Sequence, residues 1–362
     1  MGKNLSRFMG AAVAAMVVCV ASPAVAEVTF DWVTVGNPGN AEDPLNSPGG
    51  PCEPNACIPG IGSVADVYRI AKHEVTNEQY AVFLNAVAGD DTNGLYNASM
   101  GSDARGGITQ SGSSPNFSYA VKANMGNKPV NYVSFFDAMR FVNWLHNGQP
   151  SGAQDGSTTE DGVYAISDGV SEMRAANAQY FIPTENEWYK AAYHQPSADG
   201  GDSDDYWLYP TASNSVPIIA TANATGDISN PGANVANYNL GADWNGQDGN
   251  VTTVSSAGPL SESFYGTSDQ GGNVWEWNET VLSGPFRVFR GGEYQSFEGG
   301  LRSSVRGGHK PTIEDSRVGF RVASPVAQGN VPTVSQWGLA AMVLLILTAG
   351  TIAHGRRAPR LV

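Results

Sequence analysis

Cysteine is nearly absent from this chain. Of 362 residues only Cys19, Cys52 and Cys57 carry a thiol, too few to assemble a paired-cysteine zinc site. Basic residues are also scarce. Lys and Arg number 20 against 34 Asp and Glu, for a formal net charge of -14. Two of the 20, Lys3 and Arg7, fall in the first 26 residues, which contain no acid, so 18 face 34 in the rest. Such a balance excludes nucleic acid as a partner, because phosphate neutralisation needs basic patches. It suits a cation held on oxygen ligands, such as calcium. The histidines are His73, His146, His194, His309 and His354, and no two are spaced as H-x-x-x-H. Each reads as a surface or packing residue. No nucleophile elbow, phosphate loop, coiled-coil heptad or clear internal repeat is present. What is plentiful is glycine and proline, 43 and 21 residues, beside only 15% charged residues. That composition describes a loop-rich globular protein. Hydrophobic residues at 41% and aromatics at 10% still allow a sizeable core.

Long apolar runs occur only at the ends. Lys3 and Arg7 precede an apolar stretch from Phe8 to Val20, and Ala24-Val25-Ala26 supplies small residues. This is the pattern of a secretory signal peptide, residues 1–26, with a mature chain from Glu27. Cys19 would leave with it. Cys52 and Cys57 sit close together in the loop 51–57, and in an exported protein they are expected to form a disulfide. A metal or redox pair is the alternative, with no further cysteine to complete it. At the other end the chain reads Val331-Pro332-Thr333-Val334-Ser335-Gln336-Trp337-Gly338-Leu339, then an apolar run to Ala353, then Arg356, Arg357 and Arg360. Residues 337–355 are slightly short for a span of about 20 residues, and the arginines would stay cytoplasmic. The motif resembles C-terminal sorting tails of the IPTL type, differing at Val331 and Val334. The resemblance implies that residues 326–362 hold the protein in the inner membrane until a dedicated sorting protease removes them. An ordinary C-terminal anchor is the plainer reading. Either way the body, residues 27–325, faces away from the cytoplasm: periplasmic, at the cell surface, or secreted.

Within that body three helices are expected. Thr76-Asn77-Glu78-Gln79 is a capping box, followed by Tyr80, Phe83, Leu84 and Val87 on one face. Ser134-Phe135-Phe136-Asp137 starts a second, with Ala138, Phe141, Val142 and Leu145 inward, though a capping box prefers Glu or Gln where Asp137 stands. Thr184-Glu185-Asn186-Glu187 starts a third, with Trp188, Ala191 and Ala192 inward. The rest reads as short strands and long loops.

Six blocks then carry a resemblance. Tyr68 to Tyr80 contains Lys72-His73-Glu74-Val75-Thr76-Asn77. Pro129-Val130-Asn131-Tyr132-Val133-Ser134 leads into Asp137-Ala138. Ile182-Pro183-Thr184-Glu185-Asn186-Glu187-Trp188 follows, then Gly271-Gly272-Asn273-Val274-Trp275-Glu276-Trp277, Arg290-Gly291-Gly292 and Gly319-Phe320-Arg321. In this order, across Asp66 to Ala323, they resemble the formylglycine-generating, sulfatase-modifying factor family. The resemblance implies an α+β, C-type-lectin-like fold with little regular secondary structure.

The family enzyme oxidises a client sulfatase cysteine with oxygen, using copper on two cysteine thiolates. Soft thiolates suit Cu(I). Those cysteines would fall after Gly291-Gly292, where this chain has Ser296 at the first position and no cysteine from 291 to 306. A hydroxyl is a hard, weak donor, so copper is not expected. Calcium is. Carried over from the family, one set of ligands would be Asp269, the carbonyls of Gly272 and Val274, and Glu276. A second would be Asn237, the carbonyl of Tyr238, Asp248 and the carbonyl of Asn250. The bland alternative is that these acids cap turns. Trp275 and Trp277 alternate onto one face and read as core packing.

The reading is a non-catalytic binding module, calcium-stabilised, presenting residues 293–317 to an extracellular glycan or protein. Ser296, Arg302 and Arg306 are the candidate contacts, while Arg321 reads as structural. The rivals are a divergent formylglycine-generating oxidase or sulfatase-activating protein, and a structural component of an extracellular matrix.

Overall fold

In a computed structural model, residues 27–48 and 57–326 are described. The leader, Cys52 and the tail from residue 327 lie outside them. So do the expectations of signal cleavage, of a Cys52–Cys57 bridge and of a sorting helix. Among the described residues no helix is long and apolar enough to cross a membrane.

The element order is β1 (Trp32–Val35), β2 (Tyr68–Ala71), α1 (Asn77–Val87), α2 (Ser99–Ser102), β3 (Ile108–Ser111), β4 (Ser118–Val121), α3 (Phe135–His146), α4 (Glu185–Tyr193), β5 (Ile218–Ile219), β6 (Val235–Ala236), β7 (Trp275–Ser283), β8 (Phe286–Arg290), β9 (Gly307–His309), β10 (Val318–Gly319) and β11 (Ala323–Pro325). This is the expected α+β, loop-rich arrangement. Two small sheets organise it. β1 and β11 flank β2, both antiparallel to it, so the start and finish of the described domain share one sheet. The other sheet has the order β10-β7-β8-β9, with β10 parallel to β7 and the remaining pairs antiparallel.

The long helices begin where the sequence places their caps. The Thr76 side chain accepts from the Gln79 amide, and the Gln79 side chain accepts from the Thr76 amide. Thr184 and Glu187 do the same at α4. At α3 the box closes with Asp137, whose Oδ2 accepts from the Ser134 amide at 2.8 Å. The shorter aspartate side chain still reaches. Apolar residues at helical spacing then build the core. α1 buries Tyr80, Phe83, Leu84 and Val87, and α3 buries Phe135, Phe141, Val142, Trp144 and Leu145. Phe141 is the centre of this packing, edge-on to Phe83 at 5.3 Å and to Phe320 at 5.4 Å. Each such side chain contributes about 1.5–3 kcal/mol on burial. α4 turns Trp188, Tyr189 and Tyr193 into a separate cluster with Ile61 and Tyr206.

Asp137 is only 2% exposed. Burial pushes its carboxyl up to about 8, opposed by the Ser134 hydroxyl and helped by the nearby Glu314 charge. A folded value raised above the unfolded aspartate value of about 3.9 means the stabilisation is complete below that pH. It is lost as pH rises through about 8. Thermal unfolding of Asp137→Asn is therefore expected to lose part of the wild-type decline between pH 5 and pH 9, because Asn keeps an acceptor for Ser134 and has no proton to lose. Parallel pH profiles for the two proteins would refute the assignment.

Candidate functional site

The sequence blocks converge on one buried charge cluster. Arg321 follows β10 through Phe320 and points back under the sheet, fully buried. Its Nε donates to Glu276 Oε2 at 2.5 Å and its Nη2 to Oε1 at 2.6 Å, a bidentate fork. Its remaining hydrogens go to the carbonyls of Ala71, Lys72 and Ser268. The Trp188 indole donates to Glu276 Oε2 at 2.7 Å. Three blocks separated by tens of residues are thus joined by one carboxylate. Burial works against the charged guanidinium, but Glu276 outweighs it and holds Arg321 above its ordinary value.

Two more carboxyls share this interior. Glu74 is fully buried; Oε1 accepts from Asn273 Nδ2 at 3.1 Å, and Oε2 has no partner. Burial, then the charges of Asp269 and Glu276, raise Glu74 well above the carboxylate range. Asp269 accepts the Ser255 amide at 2.6 Å and is pushed up to about 6, chiefly by burial. One arginine therefore faces three acids.

Asn273 connects this cluster to the rest. Besides reaching Glu74, its Oδ1 accepts from the Thr252 amide at 2.9 Å and from Asn237 Nδ2 at 3.2 Å. Its own amide donates to the Asn237 carbonyl at 2.8 Å, and its carbonyl accepts from Tyr294. Asn237 pairs with Gly272 as a parallel bridge. A Cβ on Gly272 would lie 2.0 Å from the Asn237 carbonyl oxygen, and φ there is +87°, so only glycine fits.

This geometry bears on both carried-over calcium sets. In the first, Glu276 is engaged by Arg321 and Trp188. Asp269 instead lines a small cavity of about 10 Å³ beside Ser255 and Ser268, whose hydroxyls are buried without partners. That space is about one water or ion in size. In the second, Asn237 and Asn250 are buried side by side. Asn237 Nδ2 donates to the Asn250 carbonyl at 2.8 Å, while Asn237 Oδ1 is buried without a partner. The Tyr238 carbonyl accepts from Gly241, and Asp248 is exposed. Unpaired oxygens beside buried carboxyl and carbonyl groups are donors of the hard kind that calcium takes. Among the described residues, however, no three acidic, histidine or cysteine side chains cluster closely enough to hold a metal between them.

The candidate binding surface sits on the far side of Asn273. Gly291 and Gly292, at φ +103° and +76°, turn the chain out of β8. Glu293 and Ser296 then close a tight turn. The Ser296 hydroxyl accepts from the Glu293 amide at 3.0 Å and donates to Glu293 Oε1 at 3.2 Å, and the Gln295 amide donates to Oε2 at 2.6 Å. Glu293 is 5% exposed, and burial raises its carboxyl. The next residue, Phe297, is 74% exposed. The backbone of Asn239 and Leu240 runs alongside, donating to the carbonyls of Ser296 and Tyr294, which brings half-exposed Leu240 to the same surface. Arg302 is exposed, with Nε on Tyr209 Oη at 3.1 Å. Arg306 is committed inward to Glu185. Of the three predicted contacts, Ser296 and Arg302 share the accessible face, and Arg306 braces it from below. The sequence reading includes Phe297 within residues 293–317 without singling it out, and it does not include Leu240; the signal for both was a large apolar residue inside an otherwise polar loop. It also gives no role to Glu74, an acid in the short connection between β2 and α1.

Trp277 is fully buried, its indole donating to the Val133 carbonyl, and Trp275 packs on Phe289 at 4.9 Å. Both are packing residues.

Comparison with known proteins agrees with this architecture. The sulfatase-modifying factor enzyme 1-like domain matches residues 48–326. No curated protein matches the chain. Among solved structures, CarF is similar at 21% identity, covering 82% of this chain and 99% of its own, with a TM-score of 0.45. Treponema denticola variable protein 1 is similar at 19% identity over 72% and 85%, with a TM-score of 0.40. PvdO from Pseudomonas aeruginosa is similar at 15% identity over 82% and 92%, with a TM-score of 0.40. The family match spans most of the chain, and the chain belongs to the sulfatase-modifying factor enzyme 1-like domain family.

Proposed function

We propose that this protein is a non-catalytic ligand-binding member of its family, exported, and stabilised by calcium. One observation carries the reading. At the position of the first copper-binding cysteine stands Ser296, and its hydroxyl is used twice inside its own turn, once as acceptor and once as donor to Glu293. It closes a loop rather than presenting a nucleophile or a soft ligand. The loop it closes displays Phe297 to solvent, and loops on a fixed scaffold are common recognition elements. The ligand is an extracellular glycan or protein meeting Phe297, Leu240 and Arg302. Calcium would rest on the oxygens around Asp269 and Asn237, adding stability as any ligand of the native state does. Signal peptide removal after Ala26, a Cys52–Cys57 bridge and a sorting tail from residue 326 complete the proposal.

Elemental analysis of the purified protein, with oxygen uptake measured on a peptide containing a sulfatase Cys-x-Pro-x-Arg motif, tests it. The expected result is bound calcium, no copper and no uptake. Peptide-dependent oxygen consumption would overturn the reading and favour the divergent oxidase.

A further inference from the structure

A cavity of about 240 Å³ opens away from residues 291–317, and one of the residues lining it is a lysine only 2% exposed. The Lys128 carbonyl accepts from the Asn77 amide, which ties the residue to the start of α1. Its side chain passes over the Trp244 indole, with Nζ 4.8 Å from the ring centre. Gly226 closes the other side: φ there is +77°, and a Cβ would lie 2.6 Å from Lys128 Cε. The stem is thus held between an indole and a glycine, and the amine arrives among Thr225, Asp227 and Thr253.

The polar surroundings of the amine are specific. Nζ donates to the Thr225 carbonyl at 2.9 Å and to the Thr253 hydroxyl at 2.7 Å. That hydroxyl donates in turn to Asp227 Oδ1 at 2.6 Å, so toward the lysine it can only accept. No carboxylate lies within ion-pair distance of Nζ among the described residues. An ammonium carries three hydrogens and a neutral amine two, and the lysine meets two acceptors. The neutral form therefore fills both hydrogen bonds and keeps a lone pair. Burial pushes the amine down to about 8, against the opposing pull of the Asp227 charge. At pH 7.5 about a quarter of such an amine is neutral, against about a thousandth of an ordinary lysine.

A desolvated lysine amine is a nucleophile toward carbonyl carbon. The neighbours select the carbonyl. Carbon dioxide would leave a carbamate, an anion beside Asp227 and Glu78, which line the same cavity. An aldehyde leaves an imine, and its protonated form keeps the positive charge that Asp227 and the Trp244 face favour. We infer that Lys128 captures a short-chain hydroxyaldehyde in this cavity as a reversible imine, with Asn124 and the threonines facing its hydroxyl groups. The nitrogen lone pair bonds to the carbonyl carbon, and the C=O electron pair moves to oxygen. The oxygen takes both amine hydrogens and leaves as water, so nothing is oxidised or reduced.

Glycolaldehyde with cyanoborohydride at pH 7.5 tests this on the whole protein, because the hydride converts the imine to a stable secondary amine that peptide mass spectrometry locates. Lys128 is expected to be alkylated at least tenfold faster than the exposed Lys310. Lys190 separates the cavity from burial alone. Burial pushes its amine down to about 8 as well, but it lines neither this cavity nor the cleft of about 580 Å³ that adjoins it. It should react slowly. In Lys128→Arg the fast phase of labelling should vanish while Lys310 keeps its rate. The inference is overturned if Lys128 reacts no faster than Lys310, if Lys190 keeps pace with Lys128, or if the fast phase survives in Lys128→Arg. Should that variant not fold, the peptide map of the wild type decides alone.

Discussion

Arg321→Met is expected to be the most damaging single substitution in the domain. It removes the cation facing Glu74 and Glu276, which are fully buried, and Asp269, which is half-buried. Breaking a buried pair from one side costs about 3–5 kcal/mol, because the remaining charge stays desolvated. Here three carboxyls lose their counter-charge at once, and the Ala71, Lys72 and Ser268 carbonyls lose a donor. A domain of this kind holds about 5–15 kcal/mol in total, so the loss takes a large share. Arg321→Lys keeps the charge but not the fork, and should fall between wild type and Met. Glu74 and Asp269 have folded values raised above their unfolded ones. Their stabilising effect is therefore complete in acid and lost as pH rises. The gap between wild type and Arg321→Met should accordingly narrow from pH 7 to pH 5. Urea midpoints at unchanged slope measure it. A Met variant within about 1 kcal/mol of wild type would remove the cluster from the account of stability. If the Met variant does not fold, the Lys variant carries the comparison.

That cluster also marks the limit of what the sequence made legible. The helix starts at Thr76, Ser134 and Thr184 were readable because a cap and its partner three residues on are local signals, and the apolar spacing behind them is long enough to show its period. Trp275 and Trp277 betrayed β7 by alternation. Strands of two to four residues, such as β5, β6 and β10, offer no period to detect. The six blocks were visible as blocks, but a block does not say which partner its side chains choose. Glu276 had been given to calcium by resemblance, and the geometry gives both its oxygens to Arg321 and Trp188. Glu74 was quoted inside the first block and left without a role, since nothing near it in sequence reveals that it meets Asn273, a contact spanning 199 residues. Long-range polar contacts of this kind depend on loop paths, and loops make up most of the described residues.

The proposed recognition surface depends on a second buried arginine, and Arg290→Met should show it. Arg290 ends β8 with no exposure, lies 5.0 Å over the Tyr189 ring and pairs with Glu185 at 2.6 Å. Its Nη1 donates to the carbonyls of Ser303 at 2.7 Å and Val305 at 2.8 Å. Glu185 in turn grips Arg306. The segment from Gly291 to Arg306 is therefore stapled to the N-terminus of α4 at its far end, while Ser296 and Glu293 close its near end. Removing Arg290 leaves the buried Ser303 carbonyl without this donor, at about 1–3 kcal/mol, takes a donor from the half-buried Val305 carbonyl, and leaves Glu185 with one partner. A loss of about 3–5 kcal/mol in total is expected. Its distribution separates it from Arg321→Met. Amide exchange should accelerate first at residues 294–306, by local opening, while α1 and α3 keep their protection. Glu185→Gln on the Arg290→Met background should cost less than on the wild type, because the two residues act as one unit. If exchange at 294–306 matches wild type while global stability falls, the brace is not what holds this surface. The rigidity of the loop around Phe297 would then have to come from the Glu293–Ser296 turn alone.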